Sequence, residues 1–341
     1  MDEIYMQRAL QLASLGMGKV APNPMVGCVI VYENNIIGEG WHKEYGKAHA
    51  EVNAIDSVSN QDLLSKSTLY VTLEPCSHFG KTPPCADLLV SKKVGKVLIA
   101  CTDPNPLVAG KGIRKLQEAG ITAETGILEK EAKKLNKRFF TFMEKKRPFI
   151  LLKWAQTQDG FIAKSNYDSK WISNIHSRTL VHQWRSEEQA IMVATNTALY
   201  DNPQLNVREW SGKNPIRIVI DKNLQIPAHY HLFDHSQLTI CYNLHKNETS
   251  ENLIFVKLDA DNFLENLLQD LHEKKIQSVL VEGGRKLLQS LIDKNLWDEA
   301  RVFVSQTHFF EGIPAPKLPF ASIDQKEIFG DRLFWYENFL N

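Results

Sequence analysis

Three side chains of metal-binding type fall close together in the first quarter of the chain. His49-Ala50-Glu51 is followed by Pro75-Cys76, and Cys85 comes after 8 intervening residues. One imidazole and two thiolates suit zinc, which in catalytic sites keeps a fourth position for water. A water on such an ion has a pKa near about 7, so hydroxide becomes available at neutral pH. Glu51 lies two positions from His49, near enough to sit beside that water without being a ligand. From there a carboxyl group can take the water's proton and pass it to leaving ammonia. Two blander readings are a packed histidine with two buried cysteines, and a structural zinc. A structural site wants a fourth protein ligand, for which His42 and His78 are nearby. The ordered triplet with its adjacent glutamate favours catalysis. Cys28 and Cys101 stand within apolar runs and read as core packing.

These groups must be held by regular elements. The periodicity predicts a helix that Asp2 caps, with Ile4, Ala9, Leu10 and Ala13 on its apolar face and Gly16 as its stop. A strand over 25–32 turns at Asn34-Asn35 into a second over 36–40. Helices are expected near 49–58, 86–91, 113–119 and 129–144, and strands over 68–73, 96–101 and 121–124. Helix N-termini at the ligand segments would favour thiolates, because free N–H groups and the helix dipole stabilise negative charge. Such alternation implies a three-layer α/β sandwich. Lys145-Lys146-Arg147-Pro148 breaks the pattern, so a first domain over 1–146 and a second over 147–341 are expected. The second half alternates again: strands over 149–154, 190–194, 216–220, 278–282 and 299–304, with helices near 176–186, 263–274 and 285–294.

Composition bounds the partners. Lys plus Arg and Asp plus Glu number 40 each in 341 residues, a zero formal charge without the basic excess of a general nucleic-acid binder. No apolar run approaches the roughly 20 residues of a membrane span, and the N-terminus does not read as a signal peptide, so a soluble cytoplasmic protein is expected. Five scattered cysteines read as thiols or metal ligands rather than a disulfide framework.

The His-x-Glu…Pro-Cys order resembles that of zinc nucleobase deaminases, whose nucleic-acid-editing members carry Cys-x-x-Cys. Here the longer insertion can build part of a pocket, and its Lys81 can contact a phosphate; Gly80-Lys81-Thr82 lacks the remainder of a P-loop. Together, Pro22-Asn23-Pro24-Met25-Val26-Gly27, His49-Ala50-Glu51-Val52, Pro75-Cys76-Ser77-His78, Gly80-Lys81-Thr82-Pro83-Pro84-Cys85 and Asp103-Pro104-Asn105-Pro106 resemble the bifunctional riboflavin biosynthesis deaminase/reductase family. The resemblance implies a cytidine-deaminase-like sandwich that deaminates 2,5-diamino-6-ribosylamino-4(3H)-pyrimidinone 5′-phosphate. It also implies that Asn23, His42, Lys81, Asp103 and Asn105 line the substrate pocket.

The second half lacks Gly-x-Gly-x-x-Gly after its strands, which argues against a Rossmann site. It has Glu282-Gly283-Gly284 between a strand and a helix, where glycines admit a ligand and N–H groups face it. Leu152-Lys153-Trp154-Ala155, Ser169-Lys170-Trp171-Ile172-Ser173 and Asp201-Asn202-Pro203-Gln204-Leu205-Asn206-Val207-Arg208 resemble the reductase half of the same family, with a dihydrofolate-reductase-like fold. That resemblance implies NADPH contacts from Ala155, Trp171, Ser173, Thr197, Asp201, Gly283 and Gly284. It places Ser169, Arg185, Leu205, Arg208 and Glu282 around the ribosylamino phosphate, and a homodimer through the reductase half. Two arginines can hold a phosphate bidentately, Glu282 can accept from ribose hydroxyls, and Lys153 can polarise the C1′ imine or carbonyl. Gln189 and Ala194 replace the Asp and Gly usual in the family, both near the expected cofactor cleft. Rival readings are a tRNA deaminase with an appended binding domain, and a non-catalytic zinc module beside a nucleotide sensor.

Overall fold

The computed structural model describes residues 1–79, 83–105, 108–169 and 172–340. The chain divides into two compact units, Met1–Lys146 and Arg147–Asn341. The first contains α1 (Asp2–Ser14), β1 (Gly27–Tyr32), β2 (Asn35–Trp41), α2 (Ala50–Asp56), β3 (Thr68–Val71), α3 (Cys85–Ser91), β4 (Lys96–Ile99), α4 (Lys111–Glu118), β5 (Thr122–Thr125), α5 (Glu129–Leu135) and α6 (Lys137–Lys145). Its five-stranded sheet runs β2-β1-β3-β4-β5. The first two pairings are antiparallel and the last two parallel.

Successive residues of a strand face opposite sides of the sheet, and the core records this. Cys28, Ile30, Leu69, Val71, Val97 and Ile99 pack with Ala50, Ala54, Leu89 and Leu116 of α2, α3 and α4. Val29, Val31, Tyr70 and Leu98 pack on the other side with Met6, Ala9, Ala132 and Phe139 of α1, α5 and α6. The unit is a three-layer sandwich. Ile4 is an exception to the expected face of α1: it is exposed, while Met6 and Leu12 are buried. The hairpin turns at Glu33 and Asn34, both with positive φ, one residue earlier than the asparagine pair suggests. The helix expected over 129–144 is divided at Asn136.

The second unit contains β6 (Phe149–Gln156), β7 (Phe161–Ala163), α7 (Ile175–Glu187), β8 (Ala190–Ala194), α8 (Thr195–Asp201), β9 (Ile216–Ile220), β10 (Thr239–Asn243), β11 (Glu248–Ser250), β12 (Leu253–Lys257), α9 (Phe263–Glu273), β13 (Ser278–Val281), α10 (Arg285–Asp293), β14 (Glu299–Val304), β15 (Ile313–Pro314), β16 (Asp324–Ile328) and β17 (Asp331–Glu337). A ten-stranded sheet runs β11-β12-β10-β9-β8-β13-β6-β14-β17-β16, and β15 pairs with β7. From β12 to β14 all pairings are parallel. Both faces are covered, one by the leucines of α9 and α10 and the other by α7 and α8. Parallel strands covered on both faces read as continuous apolar runs, which is why β8 and β9 are evident in the sequence. No helix among the described residues is long and apolar enough to cross a membrane.

Glycine in β2 lets α2 lie directly on the sheet. A Cβ at Gly40 would stand 2.3 Å from the Ala54 nitrogen and 2.6 Å from the Ala50 oxygen, both backbone atoms of α2. Gly40→Ala is expected to destabilise this unit by about 1–3 kcal/mol through overpacking, read as a lower denaturant midpoint. An unchanged midpoint would mean that α2 yields easily.

Candidate active sites

In the first unit the ligand triplet is assembled from three backbone contexts. His49 is the residue before α2, with extended backbone, and its side chain does not cap the helix. Cys76 follows β3, and Cys85 opens α3. The Cys85 N–H donates to Cys76 Sγ at 3.3 Å and the Ala86 N–H to the Cys76 carbonyl at 3.1 Å. The first turn of α3 thus spends its unpaired donors on the cysteine that precedes it. One ligand atom from each of His49, Cys76 and Cys85 lies within 4.8 Å of the others. His49 Nδ1 is 3.6 Å from Cys76 Sγ and 3.3 Å from Cys85 Sγ. Tetrahedral zinc with its usual bond lengths would separate its N and S ligands by about 3.5 Å, so the donor set fits that ion.

Among the described residues these three alone form such a cluster. His42, a nearby histidine, has other partners: its Nδ1–H donates to the Ala48 carbonyl at 3.1 Å, and its Nε2 accepts from Asn23 Nδ2 at 3.2 Å. The His42 and His49 rings meet edge to face at 5.3 Å. Hydrogen bonding with Cys85 and then His49 holds the Cys76 thiol down to about 4. Glu51 is only 3% exposed. Burial, reinforced by Cys76, pushes its carboxyl up to about 7, and it reaches the Cys85 thiol by a hydrogen bond. Asp103 is also buried, which raises its carboxyl to about 6 against the opposing Asn105 N–H, 2.8 Å from Asp103 Oδ1. Asn23, His42, His49, Glu51, Cys76, Cys85, Asp103 and Asn105 therefore gather at one end of the sheet; Lys81 lies outside the described residues.

One contributor escapes sequence reading. Asn136, buried at the junction of α5 and α6, accepts from the Met25 N–H and donates to the Met25 carbonyl, each at 2.8 Å. It holds the Asn23-Pro24-Met25 segment as a neighbouring strand would. An asparagine interrupting a helical pattern was the only local signal.

The second unit centres on a buried ion pair. Arg185 on α7 donates from Nε and Nη2 to the two oxygens of Glu282 at 2.7 and 2.8 Å. Its Nη1 donates to the Asn206 carbonyl at 3.1 Å. Lys153 Nζ stands 4.0 Å from Glu282 Oε2. Burial alone would raise the Glu282 carboxyl, but Arg185 and then Lys153 bring it down to about 2. Burial lowers Lys153, and Glu282 opposes that. The forked edge of Arg185, expected for phosphate, is thus turned to Glu282, because a buried carboxylate needs a matched donor. Arg208 is exposed and donates to Asn206 Oδ1 at 3.2 Å, leaving it the more available cation. Leu205 is buried in the apolar cluster under β8 and β9 with φ at 51°, so its side chain serves packing.

Ser169 Oγ donates to Asp201 Oδ1 at 3.2 Å. Thr197 on α8 faces the glycine pair: a Cβ on Gly284 would stand 3.1 Å from its Oγ1, and Gly283 has φ at 129°. Ala155 lies near the C-terminal end of β6, and the Ser173 carbonyl accepts from Arg178 at 3.0 Å. Trp171 lies outside the described residues. Gln189 stands at the start of β8, the opposite end of that strand from Ala194, where it bonds the Gln277 N–H and the Lys275 carbonyl. It is therefore not beside the cleft residues. Arg217, buried on β9, was also missed. It holds the Gln204 carbonyl at 2.9 Å and Asp234 at 2.7 Å, tying down the 201–208 loop.

With this geometry established, known proteins can be set beside the chain. Residues 1–101 match the cytidine and deoxycytidylate deaminase zinc-binding region, and residues 148–307 match the RibD C-terminal domain. The riboflavin biosynthesis protein RibD of Aquifex aeolicus is 40% identical over 330 residues, covering 95% of this chain and 92% of that one. The chain belongs to the RibD family. RibD of Escherichia coli is 38% identical over 323 residues, covering 89% of this chain and 87% of its own length. A solved diaminohydroxyphosphoribosylaminopyrimidine deaminase/5-amino-6-(5-phosphoribosylamino)uracil reductase from Thermotoga maritima superimposes with a TM-score of 0.90, at 37% identity and 98% coverage of both chains. Acinetobacter baumannii RibD gives a TM-score of 0.89 at 34% identity, again with 98% coverage of both. The expected α/β fold class, with its deaminase-like and reductase-like halves, is borne out.

The pairing of Glu282 predicts a pH signature. Its folded pKa of about 2 lies below the ordinary 4.5, so its stabilisation is complete above 4.5 and is lost as pH falls toward 2. Glu282→Gln leaves buried cations without a counter-charge and is expected to cost about 3–5 kcal/mol at neutral pH. That gap from the wild type should narrow as pH drops below 4.5. Urea titrations of both chains across this range test it, and a gap that stays constant as pH falls would show that the charge on Glu282 is not its cause.

Proposed function

We propose that the chain performs two consecutive steps of riboflavin biosynthesis. Residues 1–146 deaminate 2,5-diamino-6-ribosylamino-4(3H)-pyrimidinone 5′-phosphate, and residues 147–341 reduce the ribosyl side chain to ribityl with NADPH. The observation that carries this reading is the triplet His49, Cys76 and Cys85, within 4.8 Å of one another beside the buried Glu51. A zinc ion held by those three residues supplies a Lewis acid that makes water nucleophilic at neutral pH.

Each remaining role falls to a side chain. Glu51 takes a proton from the attacking water and delivers it to the departing amine, so that water replaces ammonia with no covalent enzyme intermediate. Asn23 and His42, bonded to each other, form one wall of the pyrimidine pocket, and Asp103 and Asn105 another. Lys81 is assigned to the phosphate. In the second half NADPH, held by Ala155, Trp171, Ser173, Thr197, Asp201 and the Gly283-Gly284 turn, supplies a hydride. Lys153 donates a hydrogen bond to the nitrogen or oxygen double-bonded to C1′, where negative charge develops as hydride reaches that carbon, with Glu282 opposing the loss of its proton on burial. Ser169 and the backbone at Leu205 border the ribosyl group, Arg208 binds the phosphate, and Arg185 holds Glu282 in place. The setting is the cytoplasm, where the substrate and NADPH are soluble.

The balanced charge of 40 cations and 40 anions disfavours the tRNA-deaminase alternative. A coupled assay on the purified chain, following ammonia and then NADPH oxidation, tests the proposal. Glu51→Gln is expected to lower ammonia release by at least about 100-fold, while bound zinc stays equimolar and the reductase still accepts deaminated substrate. Full deaminase activity in that variant would refute the proton-carrier role.

A further inference from the structure

One buried carboxylate of the first unit has no part in the scheme above. Glu74 follows β3, two residues before Cys76, and is 4% exposed. Its Oε2 accepts the N–H groups of Asp103 at 3.3 Å and Gly110 at 2.9 Å. Its Oε1 accepts those of Gly112 at 2.9 Å and Ile113 at 3.4 Å. Its own N–H donates to the Cys101 carbonyl at 3.0 Å. Gly112 and Ile113 lie in the first turn of α4, whose N–H groups have no partner within the helix. A Cβ at Gly112 would stand 2.0 Å from the Pro75 carbonyl oxygen, so α4 abuts the very segment that leads into Cys76. The chain of contacts continues outward, because Asp103 in turn accepts the Asn105 N–H.

We propose that Glu74 is a positioning residue for the deaminase pocket. It fixes the distance between the Cys76 turn and both Asp103 and the start of α4, and thereby the placement of Asp103, and through it of Asn105, against the pyrimidine. This rests on the reading of the first unit as a deaminase. The carboxylate suits the task because both of its oxygens only accept. A glutamine of the same shape would present its NH2 group to two N–H donors whichever way its amide turned, so two of the four bonds would be replaced by repulsion.

Glu74→Gln in the full chain tests this, with the second active site as an internal control. Bound zinc and the kcat/KM of the reductase step are expected to match the wild type within about twofold, whereas the deaminase KM should rise about tenfold or more, with kcat falling less. A contribution to stability alone would lower the melting temperature without moving KM. A deaminase KM within twofold of the wild type, with or without loss of zinc, overturns the inference. If Glu74→Gln does not fold, Glu74→Asp carries the same readout, since it keeps the charge but withdraws it by a methylene. A wild-type chain that releases no ammonia would overturn the deaminase reading and this inference together. An active wild type with unchanged KM in the variant would overturn this inference alone.

Discussion

Burying a carboxylate is costly unless donors replace the water it loses, and three glutamates of this chain meet that constraint in three ways. Glu282 is met by the fork of Arg185 and stands near Lys153, which holds its carboxyl down to about 2. Glu74 is met by four backbone N–H groups. Glu51 receives no comparable set, and burial leaves it near about 7. One side-chain type is thereby an anchor for a cation, an anchor for backbone, and a group suited to exchanging protons. Much of the surrounding loop structure is the means by which the first two obtain their donors.

The same loops carry the rest of the chemistry because of where parallel strands end. In open α/β sheets, segments leaving the carboxyl ends of the strands converge, and the helices that follow turn their N-termini toward that edge. Cys76 follows β3, Asp103 follows β4, Thr197 follows β8, and the Gly283-Gly284 turn follows β13. Cys76 shows the benefit directly, since the first residue of α3 donates its N–H to the sulfur.

The first site was largely legible because its signals are local. His49 and Glu51 share the start of one helix, and a zinc set needs only the right atoms in order, whatever loop separates Cys76 from Cys85. The strands of the parallel core, such as β8 and β9, were evident from their continuous apolar residues. Other strands were not. β10 and β12, inside the sheet, were passed over between polar turns, and β16, at its edge, is exposed along most of its length, so it lacks the apolar pattern that marks a strand. Asn136 could not be assigned a purpose from its neighbours, because both of its hydrogen bonds go to Met25, 111 residues away.

Residue type and order determined which chemistry is available: a zinc-suited triplet with an adjacent acid, and a glycine turn between strand and helix. They also determined the division into two alternating α/β segments, since periodicity is a property of short windows. Tertiary structure decided which charges meet. Arg185 and Glu282 lie 97 positions apart, and only the packing of α7 beside the end of β13 turns the arginine's fork inward, leaving Arg208 as the exposed cation. A sequence fixes what a side chain can donate or accept, but its partner depends on which backbones burial brings within about 3 Å.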